Sequence, residues 1–321
     1  MVDDRSIVRK NLAKVAGWID ARLHPVGLHI KTWGSDFPDR KFLVIRRRDY
    51  GVGLFSYFLT NLGWINYSIN NGYVPVIDMK ANRTIYHSNA FFRKNVWEDF
   101  FCQPFDYGIH DIRHAKNVTI VEGRTLDGIK DFLPDFGADE NVESNQSLQP
   151  WRKLVADYMR PKIEPLGSYV SPRLEAALSG NGAIGVLARG TDYVRLRPDK
   201  HPVQPSFADF VVAIKEYDSL VGLRKPIFLV TEDRNLAMDF MGHYKERLIL
   251  AKQDFIPYKR GFLCSNKSVV GNKERGFAYL RAIFDLSRCQ ALIAGRTSGT
   301  IGAVLLSKGF VYSKVFNLGK Y

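Results

Sequence analysis

The chain has 321 residues, enough for about two ordinary domains. Apolar residues make up 45% and charged residues 25%, which excludes a disordered or fibrous chain and allows buried cores. The net charge of +13 favours anionic partners such as nucleic acid, a phospholipid surface or a phosphate-bearing substrate, or else reflects Lys and Arg spread over a solvated surface.

The densest basic stretch is Arg46, Arg47 and Arg48. No homeodomain, zinc-finger or RNA-recognition signature accompanies it, so nucleic acid is not an expected partner. Cys102, Cys264 and Cys289 fit no zinc or redox spacing and read as free thiols in a reducing compartment. The N-terminus shows no apolar signal core, and no apolar run approaches the ~20 residues that span a bilayer. The expected location is the cytoplasm, with contact at the inner face of a membrane left open.

In chain order, Val8, Leu12, Val15, Ile19 and Leu23 keep helical spacing. Basic residues occupy the other faces of that helix, which can lie on an anionic membrane or pack on its own domain. FLVIRR at 42–47 reads as a buried strand, 53–70 as an aromatic-rich helix and YVPVID at 73–78 as a second strand. A short helix at 96–101 and a strand at 118–122 follow. Gly, Asp, Asn, Ser and Pro at 134–150 mark a linker or long loop before a helix at 151–159. The second half carries strands at 183–189, 226–231, 247–251, 290–295 and 310–316. Helical segments at 207–217, 235–243, 273–287 and 300–307 separate most of them. This alternation predicts an α/β fold with mostly parallel sheets, helices on both faces, and two such units facing each other across a cleft. The expected division is 1–165, on the acceptor side, and 166–321, which binds the phosphate-bearing ligand.

Ligands of open α/β sheets bind beyond the carboxyl ends of the strands. After the first strand, Gly51 and Gly53 permit a tight turn into a helix whose free N–H groups suit an anion, though a plain strand–helix turn has the same look. After the strand at 183–189 come Arg189, Gly190, Thr191, Asp192, Arg195, Arg197 and His201, arginines being bidentate phosphate ligands. After the next strand, Glu232 and Asp233 can accept bonds from sugar hydroxyls, or Asp233 can cap a helix. After the fourth, Arg296, Thr297, Ser298, Gly299 and Thr300 form a nest suited to phosphate, and capping there can coexist with binding. No Asp-x-Asp pair occurs. Arginine and backbone amides, rather than a metal, would therefore neutralise a diphosphate.

These segments resemble a family. GVGLFSYFLTNLGWINYSINNGYVPVID resembles the glycine-turn region of the α-1,6-fucosyltransferases, and VLARGTDY, VTEDRN and AGRTSGTIGAVLL resemble their later motifs in the same order. The resemblance runs from about Phe42 onward. It implies two facing Rossmann-like domains of GT-B type, inverting fucosyl transfer without a metal or other cofactor, and GDP-fucose as donor. It places Arg189 on the β-phosphate. It implies a glycan or glycolipid acceptor, with polysaccharide biosynthesis as the setting. The family's second arginine is Gly190 here, its usual histidine is Leu187, and its guanine-reading aspartate falls at Ala282, with Asp285 the nearest substitute. Its acidic catalytic base has no clear match. Asp192, three residues past Arg189, is the first candidate for the base, or else it orients the loop. His201 and Asp199 lie farther along, where intervening residues leave their placement open. Transfer from another nucleotide sugar, or non-catalytic binding of an anionic glycan or nucleic acid, is the alternative reading.

Overall fold

The computed structural model describes residues 27–48, 51–87, 94–123, 133–255 and 272–321. The helix expected at 8–23 and Cys264 lie outside them.

The first sheet is ordered β1-β4-β2-β3, from β1 (Gly27–Lys31), β2 (Asp36–Arg47), β3 (Val74–Ile77) and β4 (Ala115–Gly123). β4, β2 and β3 run parallel, and β1 lies antiparallel at the edge. The sequence gives no signal for β1 because nearly all of it is exposed and nothing alternates. β2 is central, so Phe42, Leu43, Val44 and Ile45 are all buried. Phe42 and Val44 face one cluster, Leu43 and Ile45 the other, as the period of two requires.

The second sheet holds β5 (Ile184–Leu187), β6 (Ile227–Val230), β7 (Leu248–Leu250), β8 (Ala291–Gly295) and β9 (Tyr312–Phe316), all parallel, in the order β7-β6-β5-β8-β9. These are the five strands expected from the sequence, trimmed at their ends. The chain runs outward from β5 to β7 and then returns to β8, so the order reverses between β5 and β8. Loops leaving those two strands diverge and open a crevice at their carboxyl ends.

Helices cover both sheets: α1 (Leu54–Asn70), α2 (Trp97–Phe100), α3 (Leu148–Tyr158), α4 (Pro172–Ser179), α5 (Thr191–Leu196), α6 (Phe207–Val221), α7 (Arg234–Tyr244), α8 (Asn272–Ser287) and α9 (Ser298–Leu306). α4 and α5 have no counterpart in the sequence pattern. α3 starts at Leu148 rather than 151, and the loop before it contains a 3-10 turn at Val142–Ser144. α6 is set by a capping box of Ser206 and Asp209 and stops at Gly222, whose φ of +65° suits glycine. It covers Ile184, Val186 and Ile293, while Leu280, Ile283 and Leu286 of α8 cover Leu187 and Leu292 on the opposite face. Gly185 makes room for α8: a Cβ there would lie 2.9 Å from Leu286 and 3.2 Å from the Cys289 Sγ. Cys289 is buried, and burial pushes its thiol pKa up.

One apolar cluster runs through both halves, including Leu43 of β2, Phe55 and Phe58 of α1, Leu187 of β5 and Val304 of α9. Its joint is the crossing of α1 on α9, where the ring of Phe55 lies against the backbone of Gly302 so closely that a Cβ would overlap it. Gly302→Ala should therefore lower unfolding stability by about 1–3 kcal/mol, the usual cost of overpacking. Urea unfolding of the variant beside wild type measures this, and an unchanged midpoint would mean that the ring has room to move.

Candidate active site

The loops at the strand reversal border a cavity of about 810 Å³ between the two sheets. Three elements supply groups suited to an anion. The first is α1. Its N-cap is Gly53, with no side chain to cap it, and Gly51, Val52 and Gly53 line the cavity. The amides of Leu54 and Phe55 have no hydrogen-bond partner among the described residues, so this helix end keeps its partial positive charge. Arg47 anchors the turn by donating to the Ser56 carbonyl at 2.8 Å.

The second is α9, from the other half. Thr297 caps it by accepting from the Thr300 amide at 3.1 Å. Ser298 and Gly299 then open the helix with amides that have no partner among the described residues, and both line the cavity. Gly299 must lack a side chain because the Tyr279 hydroxyl occupies the place of its Cβ.

The third is Arg189, directly after β5. Its guanidinium carbon stands 4.5 Å over the ring centroid of Tyr193, and its Nε is 4.0 Å from the Glu232 carboxylate. The loop that carries it is tightly determined. Thr191 has φ of +32°, a strained value for a β-branched residue. Its amide donates to Asp233 at 3.0 Å and its hydroxyl to Glu232 at 3.0 Å. The Asp233 carboxylate also caps α7 through the amides of Asn235 and Leu236. Gly190 lies under that carboxylate, where any Cβ would overlap it. This contact accounts for glycine at a position where the resembling family has arginine.

Gly51, Gly53, Arg189, Glu232, Thr297, Ser298 and Gly299 are thus brought together on one cavity. Gly190, Thr191, Asp233, Asp285, Arg296 and Thr300 do not line it. Gly190, Thr191, Asp233 and Thr300 shape the loops from behind; the Thr300 hydroxyl donates to the Gly295 carbonyl at 2.5 Å. Arg296 turns away and donates to the Gly137 carbonyl at 2.9 Å. Asp285 is buried in α8 and paired with Arg281 at 2.8 Å and Arg288 at 3.3 Å. Burial pushes its carboxyl upward, against the pull of Arg281. It does not border the cavity, and neither does buried Ala282. Asp192 is the second residue of α5.

Sequence reasoning missed the far wall, formed by Tyr169, Lys252, Asp254, Glu274, Arg275 and Tyr279. Lys252 and Asp254 follow β7, so the rule of strand ends pointed to them. Tyr169 carries no such signal.

No family model matches the sequence, and no curated protein matches it. Among solved structures, the chain is similar to a NodZ alpha-1,6-fucosyltransferase co-crystallised with GDP, at a TM-score of 0.49 and 14% identity over 84% of this chain and 93% of that one. It is similar to a mutant of Arabidopsis thaliana FUT1 in complex with GDP, at a TM-score of 0.49 and 14% identity over 85% and 69% of the two chains. It is also similar to POFUT1 in complex with GDP-fucose, at a TM-score of 0.34 and 10% identity over 87% and 75%. At these scores the chain paths coincide only loosely, and the chemistry rests on the residues themselves.

Replacing Gly190 by Ala would push the Asp233 carboxylate off its amide partners and shift the Arg189 loop. The expected cost is about 1–3 kcal/mol of unfolding stability. Urea unfolding of the variant beside wild type reads this directly, and an unchanged midpoint in Gly190→Ala would contradict the geometry.

Proposed function

We propose that the protein is an inverting glycosyltransferase that uses GDP-fucose as donor, needs no metal, and transfers fucose to a hydroxyl of a glycan or glycolipid. One observation carries this reading: two helix N-termini, one from each half of the chain, and the Arg189 side chain meet on a single cavity. A nucleoside diphosphate has the charge and length to use all three. The amides of α9 and the guanidinium of Arg189 flank the strand reversal, where a diphosphate would sit. The α1 turn faces it from the other sheet. An acceptor hydroxyl attacks the sugar's C1 in line with the departing diphosphate. Fixed donors then meet charge that grows on the β-phosphate as the bond breaks, with no reorganisation needed at that moment. In this reading residues 166–321 hold the donor and 1–165 present the acceptor, with the polysaccharide setting and membrane-surface contact following from such an acceptor.

The Glu232 carboxylate and the Tyr193 ring orient Arg189 on the cavity. An ion pair at 4.0 Å on a partly exposed group contributes little. The Tyr193 ring adds a cation–π contact that holds the guanidinium plane. The nucleic-acid reading loses its main support, because Arg46 is paired with Asp78 at 2.8 Å and Arg48 with Glu122 at 3.2 Å.

Thermal-shift measurements with GDP, UDP and CDP should show the largest rise for GDP, since a bound ligand stabilises according to its concentration over Kd. Arg189→Ala should abolish that rise, keep the ligand-free transition, and slow transfer by about 10²-fold or more. Transfer in the presence of EDTA should match transfer without it. Wild-type turnover in Arg189→Ala, or activity lost to EDTA and restored by Mg²⁺, would reject the clamp.

A further inference from the structure

We propose that His201 is a positioning residue: its imidazole props the Tyr193 ring against Arg189 and is itself held by residues 319–321, so that this distant segment sets the affinity of the cavity for a diphosphate. The affinity half of the proposal rests on the transferase reading above.

A helix of six residues such as α5 is marginal on its own. Val194 and Leu196, its two aliphatic side chains, are 45% and 36% exposed, so apolar burial anchors it weakly. At its front, Thr191 is fixed through Glu232 and Asp233. At its back, the chain turns through Arg197 and Lys200 with left-handed φ values of +43° and +63°, which side chains with a Cβ keep only when the surroundings hold them. Tyr193 lies between these ends. The Arg189 guanidinium carbon stands 4.5 Å over its ring centroid, and the His201 ring meets it at 78° with centroids 5.4 Å apart. All three side chains border the cavity.

His201 is held through its backbone by a part of the chain far away in sequence. The Lys200 amide donates to the Tyr321 carbonyl at 3.3 Å, the Tyr321 amide to the His201 carbonyl at 3.1 Å, and the Val203 amide to the Gly319 carbonyl at 3.0 Å. Pro202 and Lys320 pair antiparallel between them. The segment is anchored in turn. It follows β9, and the Asn317 amide donates to the Glu140 carboxylate at 3.0 Å while its side chain donates to the Ala138 carbonyl at 3.1 Å. The imidazole is limited in rotation by Nδ1, which lies 3.1 Å from the Asp199 carbonyl oxygen. A line of contacts thus runs from the second sheet through 319–321, His201 and Tyr193 to Arg189. Ring pairs and cation–π contacts are modest interactions, so loss of the prop weakens diphosphate binding by about threefold to tenfold, far less than loss of Arg189 itself.

The test has two arms. In the first, ligand-free protein is digested with trypsin and cleavage of the Lys200–His201 bond is timed. Tyr321→Pro removes the amide that bonds His201 and keeps the carbonyl, so cleavage should quicken by about threefold to tenfold, because proteolysis follows the population of the opened loop. Tyr321→Ala keeps the amide and should be cut at the wild-type rate. Equal rates in Tyr321→Pro and wild type overturn the hold of 319–321 on the loop. In the second arm, GDP affinity is read by thermal shift. His201→Ala and Tyr321→Pro should bind GDP about threefold to tenfold more weakly while their ligand-free transitions stay at the wild-type temperature. His201→Phe keeps a flat ring for Tyr193 and should keep wild-type affinity. Wild-type affinity in His201→Ala overturns the assignment, as does a His201→Phe variant as weak as His201→Ala. If wild-type protein shows no rise with GDP at all, the transferase reading falls and the affinity half with it, while the trypsin arm still decides whether 319–321 hold His201.

Discussion

The contact of Phe55 with Gly302 holds the two halves of the cavity in register. Each half brings a helix whose first amides point at the same space, and the distance between those helix ends is set where α1 crosses α9. Phe55 also meets Tyr279 at 5.7 Å, nearly perpendicular, and the Tyr279 hydroxyl in turn closes over Gly299. The same few side chains therefore pack the joint and shape the anion-facing turn. α3 reinforces the crossing, because Arg152 donates to the Val304 carbonyl of α9 at 3.0 Å and pairs with Glu143 at 2.5 Å. An aromatic ring buried at a glycine contributes several kcal/mol of burial that is lost if the halves separate.

Local strain sits where this frame meets the ligand space. The stretch from Gly190 to Lys200 contains three residues with left-handed φ, Thr191, Arg197 and Lys200, and the first and last are tied to distant parts of the chain. Thr191 is tied to the β6 loop through Glu232 and Asp233, and Lys200 to the tail at Tyr321. The hydrogen bonds that fix the loop belong to Glu232 and to Asp233, the latter in the capping role that its sequence position also allows. Their carboxylates are turned to the protein's own backbone and hydroxyl groups, and they serve the site by placing Arg189.

Much of this was legible in the sequence, for physical reasons that differ by element. Buried parallel strands are continuous apolar runs, so the second sheet stood out. β1 did not, since an exposed edge strand needs no apolar side chains. The glycine turn and the Arg189 loop were found because ligands collect at strand ends. The far wall was passed over because Tyr169 reaches the cavity from a 3-10 turn between elements. Asp285 misled because its helix position says nothing of its partner. Glu175, which shares Arg281 with it, is 106 residues from that arginine in sequence, and charge pairs at such separation leave no local trace.

Cys289 supplies a built-in gauge of how firmly the floor of the cavity is held. Its sulfur lies against Gly185 of the central strand β5, four residues before Arg189. Only a thiolate reacts with an alkylating reagent, and burial keeps this thiol protonated and covered. Its labelling therefore waits for α8 to lift from the sheet. The rate at which it is modified reports the opening free energy of that layer alone, with partly buried Cys102 in the other half as an internal reference. A ligand that clamps the strand ends would be seen as a slowing at Cys289 before any change in the overall melting transition.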